Sequence, residues 1–359
     1  MYKINKILFI LITILFMTIT TACTGEVEVV TFPSGQIHLY GEIHGFEAHI
    51  DKQFELWYYY YTNRNMRHMF LELPFFIAQF LNMWMAGYDE DILENLFYDA
   101  RRIALNTTVY RGFFHRIRRE LPETVFHGYD IGHIWAGETA GIRFLEHLRQ
   151  NGLENSDKYL ITLENIEQGK LFSTEKSGNH SWRADRMVEN FIREFESLNG
   201  ESIMSGFAGC DHIALGNYSP FLRGGITMAT QLIEIYGDNV HTTRLLDVVS
   251  SYVGGTPDLL IVENREYNAM FFGYRDISDW HDTFVRQEFW RLEDAYEDFR
   301  NHIRNGVRVP LGEFPMPVET GQILAIRSTR QDGSSEMRYF RSSIMVSNIY
   351  VVEEFLVEE

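Results

Sequence analysis

The chain has little cysteine, little proline and little positive charge. Two cysteines, Cys23 and Cys210, in 359 residues exclude a disulfide scaffold and any zinc site built from thiol pairs, since both need more sulfur. Lysine and arginine number 32 against 50 acidic residues, a formal net charge of −18. A field of that sign repels phosphate backbones and excludes nucleic acid as a partner. The eight prolines form no proline-rich linker. No segment repeats at a fixed period, which excludes solenoids and propellers. There is no Gly-x-Ser-x-Gly elbow, no P-loop, no Gly-x-Gly-x-x-Gly and no His-Glu-x-x-His, so the common short signatures of nucleophilic, nucleotide and zinc chemistry are missing. What is there is ordinary globular composition, 45% hydrophobic, 23% charged and 14% aromatic. Disordered, collagen-like and coiled-coil chains look different. The length suits two modest domains or one large α/β domain with insertions.

Residues 1–22 carry a basic start at Lys3 and Lys6, an apolar run from Ile7 to Met17, and a small-residue close, Thr20-Thr21-Ala22-Cys23. That is the plan of an export signal, and its apolar run is short for a transmembrane span. A cysteine directly after a small residue at this point resembles a bacterial lipobox. Cleavage there leaves a diacylated Cys23 as the first mature residue, which holds the protein on the extracytoplasmic face of the cell membrane. Residues 23–35 then read as a tether. Loss of Lys3 and Lys6 leaves 30 basic against 50 acidic residues, or −20. Acyl chains, and not a basic patch, are the expected attachment.

From residue 36 short β-like runs alternate with long amphipathic segments. The runs are 37–40, 69–73, 124–129 and 203–208. Helical periodicity covers roughly 45–64, 75–86, 89–120, 139–171, 182–198 and 224–236. Strands separated by helices predict an α/β fold with a largely parallel or mixed central sheet flanked by helices, over residues 36–240. Beyond it, 241–359 reads as a β-rich extension of that sheet or a small α+β cap. Its expected elements are strands at 240–249 and 258–263, a charged helix at 279–304, and alternating runs from 322 to 357 with a hairpin at Gln331-Asp332-Gly333.

The strand ends carry the chemistry. Ligands of open α/β sheets bind beyond the carboxyl ends of the strands. The first run ends Gly41-Glu42-Ile43-His44-Gly45, the second carries Glu72 before Pro74, the third ends Gly128-Tyr129-Asp130, and the fourth ends Gly209-Cys210-Asp211-His212. In a parallel sheet Glu42, His44, Glu72, Asp130 and His212 converge on one rim. Asp130 and Asp211 also suit helix caps. Glu72 stands inside the apolar run Met69 to Phe76, where a carboxylate is costly unless paired. Arg183, in Trp182-Arg183-Ala184-Asp185, opens an amphipathic helix and can reach the rim to hold a carboxylate or an oxyanion. His38, His49, His68, His127 and His147 read as structural histidines. Cys210 reads as a small buried hydrophobe, and Trp57 with Tyr58-Tyr59-Tyr60-Tyr61 as core packing against the sheet.

These motifs (Gly-Glu-x-His-Gly, Phe70-Leu71-Glu72, Gly-Tyr-Asp, Arg-x-Asp-Arg-Met-x-x-Asn and a late Gly-x-x-His) together resemble the erythromycin esterase family and its relatives. Those relatives are the ChaN-like haem-binding proteins and the Tiki/TraB-type proteins. The likeness spans roughly residues 36–236, and the late Gly209-Cys210-Asp211-His212 is closer to the ChaN/Tiki form. By resemblance Glu42, His44, Glu72 and His212 form an active-site core with Arg183 as its anion-holding partner. Two routes to hydrolysis of an ester, amide or peptide bond in a small-molecule or peptide substrate stay open. In one, His44 is a general base tuned by Glu42 or Glu72. In the other, His44, Glu72 and His212 hold a divalent zinc, manganese or iron ion that activates the water. The alternative is a ChaN-like lipoprotein that binds haem or another cofactor without turnover.

Overall fold

The computed structural model describes residues 35–99, 107–133, 139–215, 225–252, 255–278, 281–310, 314–316, 318–342 and 351–357. The stretch read as an export signal, Cys23 and nearly all of the expected tether lie outside the described residues. Five strands, β1 (Ile37–Glu42), β2 (His68–Pro74), β3 (Val125–Asp130), β4 (Ile203–Gly209) and β5 (Val240–Arg244), pair in the order β3-β2-β4-β1-β5, parallel at every pairing. Alternate side chains enter different cores. Met69 and Leu71 face one, and Phe70 between them faces the other.

The first core is closed by α1 (Glu47–Arg64), α2 (Phe75–Met85), α3 (Asp91–Asp99), α4 (Thr108–Glu120) and α5 (Ala140–Gln150), through residues such as Trp57, Phe76, Leu93, Phe114 and Phe144. After α6 (Asp157–Ser173), α7 (His180–Glu196) covers the second core with Met187, Phe191 and Phe195. The one-turn α8 (Cys210–Ile213) contributes Ile213, and α9 (Met228–Tyr236) contributes Leu232. The periodic stretch 139–171 holds two helices. Asn151-Gly152 divides them: Gly152 takes φ 68° and the Leu153 N–H returns to the Leu148 carbonyl at 2.8 Å, a left-handed helix stop. The stretch 89–120 likewise holds α3 and α4.

Two strands carry an extra residue just before the rim. Leu71 pairs with Gly128 but Pro74 with Asp130, so β2 bulges around Glu72-Leu73. Leu39 pairs with Ser205 but Gly41 with Ala208, so β4 bulges around Gly206-Phe207, where Phe207 adopts φ 58°. A bulge re-aims the side chains that follow it. A left-handed Phe persists only where its surroundings fix it: its N–H donates to the buried Gln53 side-chain oxygen at 2.7 Å.

Past α10 (Leu245–Tyr252) the chain builds a second, separate sheet. Strands β6 (Thr256–Val262), β7 (Arg265–Asp276), β8 (Phe284–Leu292), β9 (Arg304–Pro310), β10 (Ile323–Arg330), β11 (Ser335–Ser342) and β12 (Val351–Phe355) run antiparallel in the order β6-β7-β8-β10-β11-β12-β9. The Asp332-Gly333 hairpin joins β10 to β11 as expected. Three expectations are corrected. From Thr256 on, the strands do not extend the first sheet, which ends at β5, but form a sheet of their own. Residues 240–249 are strand only to Arg244, and Leu245 begins α10. The charged stretch 279–304 is not a helix: it contains β8 and the one-turn α11 (Tyr296–Phe299) before β9 begins. β8 looks polar because it is buried on both faces only at Phe289, Trp290 and Leu292, while Arg286–Glu288 and Arg291–Glu293 pair along its length. Packing on both sides outweighs the local periodicity.

Candidate active site

Glu42, the last residue of β1, is buried, and three side chains meet its carboxylate. Tyr110 from α4 donates its hydroxyl to Oε1, Gln53 from α1 donates its amide to Oε2, and His44 Nδ1 lies 2.8 Å from Oε1. With its Nδ1 on the carboxylate, the imidazole turns Nε2 toward Gly209. His44 is 43% exposed. The part of its ring held in the rim is desolvated, which lowers its pKa. The hydrogen bond and charge of Glu42, with Glu72 beyond, overcome this and raise it to about 9.

Glu72, in the bulge of β2, is 5% exposed. Arg183 of α7 donates Nη2 to its Oε1 at 2.6 Å, and the Gly209 N–H donates to its Oε2 at 2.8 Å. Burial pushes its pKa up, but His212, Arg183 and His44 together hold it down at about 2. Arg183 also grips Asp130, the last residue of β3, with Nε at 2.9 Å and Nη2 at 2.7 Å. Buried ions are costly singly and tolerable when paired in such geometry. Burial works against the guanidinium charge, and Asp130 and Glu72 more than restore it.

His212, on α8, is buried beside this knot. Its Nε2 is 3.4 Å from Arg183 Nη1 and 3.3 Å from Glu72 Oε1. Arginine only donates and the carboxylate only accepts, so Nε2 serves one of them at a time. Nδ1 is buried and has no partner among the described residues. Burial, aided by Arg183, lowers the His212 pKa against the opposing pull of Glu72.

Gly209 stands at the centre. A methyl group on it would lie 3.5 Å from His44 Nε2, 3.7 Å from His212 Cδ2 and 3.9 Å from Glu72 Oε2. Its missing side chain therefore leaves a niche that all three share. The structure thus brings together Glu42, His44, Glu72, Arg183 and His212 with Asp130, which the parallel-sheet reading also set on the rim, and it adds two residues that the sequence reading left out: Tyr110 and Gln53. Asp130 keeps part of its cap-like role through the Ile131 N–H at 2.7 Å.

The other sequence-selected residues lie elsewhere. Cys210 is buried, and burial pushes its thiol up to about 12, which removes it as a nucleophile. His49 is buried and accepts the Ile43 N–H at 2.9 Å. His127 bridges Glu194 at 3.0 Å and His68 at 2.9 Å. Trp57 is core, but Tyr58 and Tyr59 are about half exposed, which corrects the expectation that the whole tyrosine run packs inside.

The donor set does not fit a metal ion. Both oxygens of Glu72 are engaged, and the Arg183 cation sits between Glu72 and Asp130. Among the described residues, no three His, Cys, Asp or Glu side chains are grouped to hold a metal.

No protein-family model and no curated protein matches this chain. Solved structures do. A Bacillus cereus protein superposes with a TM-score of 0.43 at 15% identity, over 59% of this chain and 65% of its own. A variant of the erythromycin esterase EreC in its open conformation gives 0.44 at 13%, over 72% and 82%. A succinoglycan biosynthesis protein gives 0.44 at 14%, over 58% and 65%. The chain thus spans just under two thirds of the first. At such distances any functional assignment rests on the residues of this chain.

Proposed function

We propose that the protein is a hydrolase of ester, amide or peptide bonds that works without a metal, with His44 as general base. The convergence of the Glu42–His44 pair on the niche at Gly209 carries this reading. Glu42 accepts the Nδ1 proton, which leaves the Nε2 lone pair to take a proton from water as that water adds to the substrate carbonyl. The resulting imidazolium faces Glu42 and returns its proton to the leaving group. Arg183 and His212 supply the positive and polar surroundings in which the oxyanion forms. Glu72 and Asp130 fix Arg183 and are not consumed. We propose further that the enzyme acts on small-molecule or peptide substrates at the outer face of the membrane, held there through Cys23. The lipobox-like close of the export signal supports this.

The test is a panel of esters, amides and peptides assayed from pH 6 to 10, with and without chelator. Turnover should rise with pH toward about 9, the His44 value, because only the neutral imidazole is a base. His44→Gln should lose ~10²–10⁴-fold, and chelator should change nothing. Undiminished turnover by His44→Gln would sink the assignment, as would a wild type inert toward the whole panel. Loss of turnover with chelator would favour a metal-bound water instead.

A further inference from the structure

We propose that the second sheet is a working part of the site: the bulge at Phe272-Gly273 in β7 seats Phe46 and so sets the position of His44. The inference rests on the hydrolase reading only in assigning the chemistry to His44.

The turn between β1 and α1 is pinned on both sides of His44. Ile43 and Phe46 are buried in one apolar cluster with Phe272, Phe289, Leu324 and Phe340 of the second sheet. The Ile43 N–H is held by His49 at 2.9 Å, and the Gly45 N–H by the Tyr110 hydroxyl at 3.1 Å. The Phe46 N–H returns to the Ile43 carbonyl at 3.2 Å. From this turn His44 Nε2 reaches the niche, 3.5 Å from a carbon placed on Gly209.

Phe46 is where the sheet takes hold. Among the described residues, pairing of β6 with β7 stops at Thr256↔Phe271. Beyond it Phe46 forms an antiparallel bridge to Arg275. Between these points β7 carries an extra residue, since Phe271 pairs with Trp290 but Tyr274 with Glu288. Gly273 there adopts φ 97°, which favours glycine. A carbon added to it would lie 3.4 Å from Phe46 Cζ and 3.6 Å from Cε2. The ring therefore rests on the bare face of the bulge. It also meets Phe289 edge to face, with centroids 6.3 Å apart and planes at 86°.

A general base must be placed to within about an ångström, and misplacement of that size costs ~10²-fold. The sheet thereby acquires a role that its distance in sequence conceals. Phe272, Gly273 and Phe289 act through Phe46, as positioning residues, on a base at position 44.

The experiment uses the full chain and three variants, Gly273→Ala, Phe46→Leu and Phe340→Leu. The last lies in the same apolar cluster, where its ring meets Phe314, and serves as the packing control. The readouts are the His44 imidazole NMR signals and titration midpoint (assigned with His44→Gln), kcat and KM on a panel substrate, and urea unfolding. Gly273→Ala and Phe46→Leu should shift the His44 signals and lower kcat by ~10-fold or more with a smaller change in KM. Phe340→Leu should lower stability while leaving the His44 signals in place. His44 signals and kcat unchanged in both Gly273→Ala and Phe46→Leu would overturn the proposal, whatever happens to stability. So would an equal shift in Phe340→Leu. If Gly273→Ala does not fold, Phe46→Leu decides. If no substrate is found, the hydrolase reading fails, yet the NMR signals still decide whether the sheet positions His44.

Discussion

Arg183→Met should be among the most damaging single changes in the first sheet. It removes the cation between two carboxylates that are each 5% exposed. Breaking a buried ion pair from one side costs about 3–5 kcal/mol, because the surviving charge is left without compensation. Here each survivor keeps one backbone donor, Gly209 for Glu72 and Ile131 for Asp130, so the lower end, about 3 kcal/mol, is expected near pH 8. The loss should depend on pH. In the wild type the Glu72 pKa is depressed to about 2, so its contribution is present above the ordinary carboxylate range and is lost only as pH falls through about 2. In the variant, burial without the cation raises that pKa. Protonation then relieves the variant as pH falls, and the deficit should shrink between pH 8 and pH 5. Urea unfolding of both proteins at the two values measures this, and adding Glu72→Gln to the variant should recover part of the loss at pH 8. A deficit below about 1 kcal/mol at pH 8, or one that does not change with pH, would show that the knot is not the buried ionic cluster described here.

Two further outcomes are expected. Burial lowers the His49 pKa to about 3, so its stabilising neutral form is fully present above about 6.5 and is lost as pH falls. At about 1.36 kcal/mol per pH unit this contributes about 2 kcal/mol of acid destabilisation between pH 6.5 and 5. His49→Gln should flatten that slope in unfolding measurements, and an unchanged slope would refute the attribution. Cys23→Ser should move the protein from the membrane fraction to the soluble fraction of an expressing bacterium, and undiminished membrane recovery would exclude lipidation as the anchor.

The rim was legible in the sequence because its residues violate their surroundings. Glu72 interrupts an apolar strand, and Glu42 and His44 stand between glycines at a strand end. Asp130 was visible but had a competing use as a cap, and only the approach of Arg183 across 53 residues decides between them. Gln53 and Tyr110 went unread although a signal existed. Gln53 lies on the buried stripe Ile50, Phe54, Trp57 of α1, and Tyr110 on the stripe Phe113, Phe114, Ile117 of α4. A polar group on an apolar stripe needs a buried partner, and both find Glu42. The second sheet was hardest to read. Charges on β8 mimic a solvated helix, and what fixes it as a strand is pairing with β7 and β10, which no local window contains.

The ionic knot has a consequence for how the chain comes into being. Glu72 and Arg183 are 111 residues apart, and Glu72 and Gly209 are 137 apart. Each contact closes a long loop, which is slow and entropically costly until the sheet between them is built. A nascent or half-folded chain therefore carries its carboxylates, arginine and histidines as scattered, ordinary surface groups. The assembled rim comes into existence only when the strand order is complete, so the proposed chemistry of this rim and correct folding of the first sheet are one event.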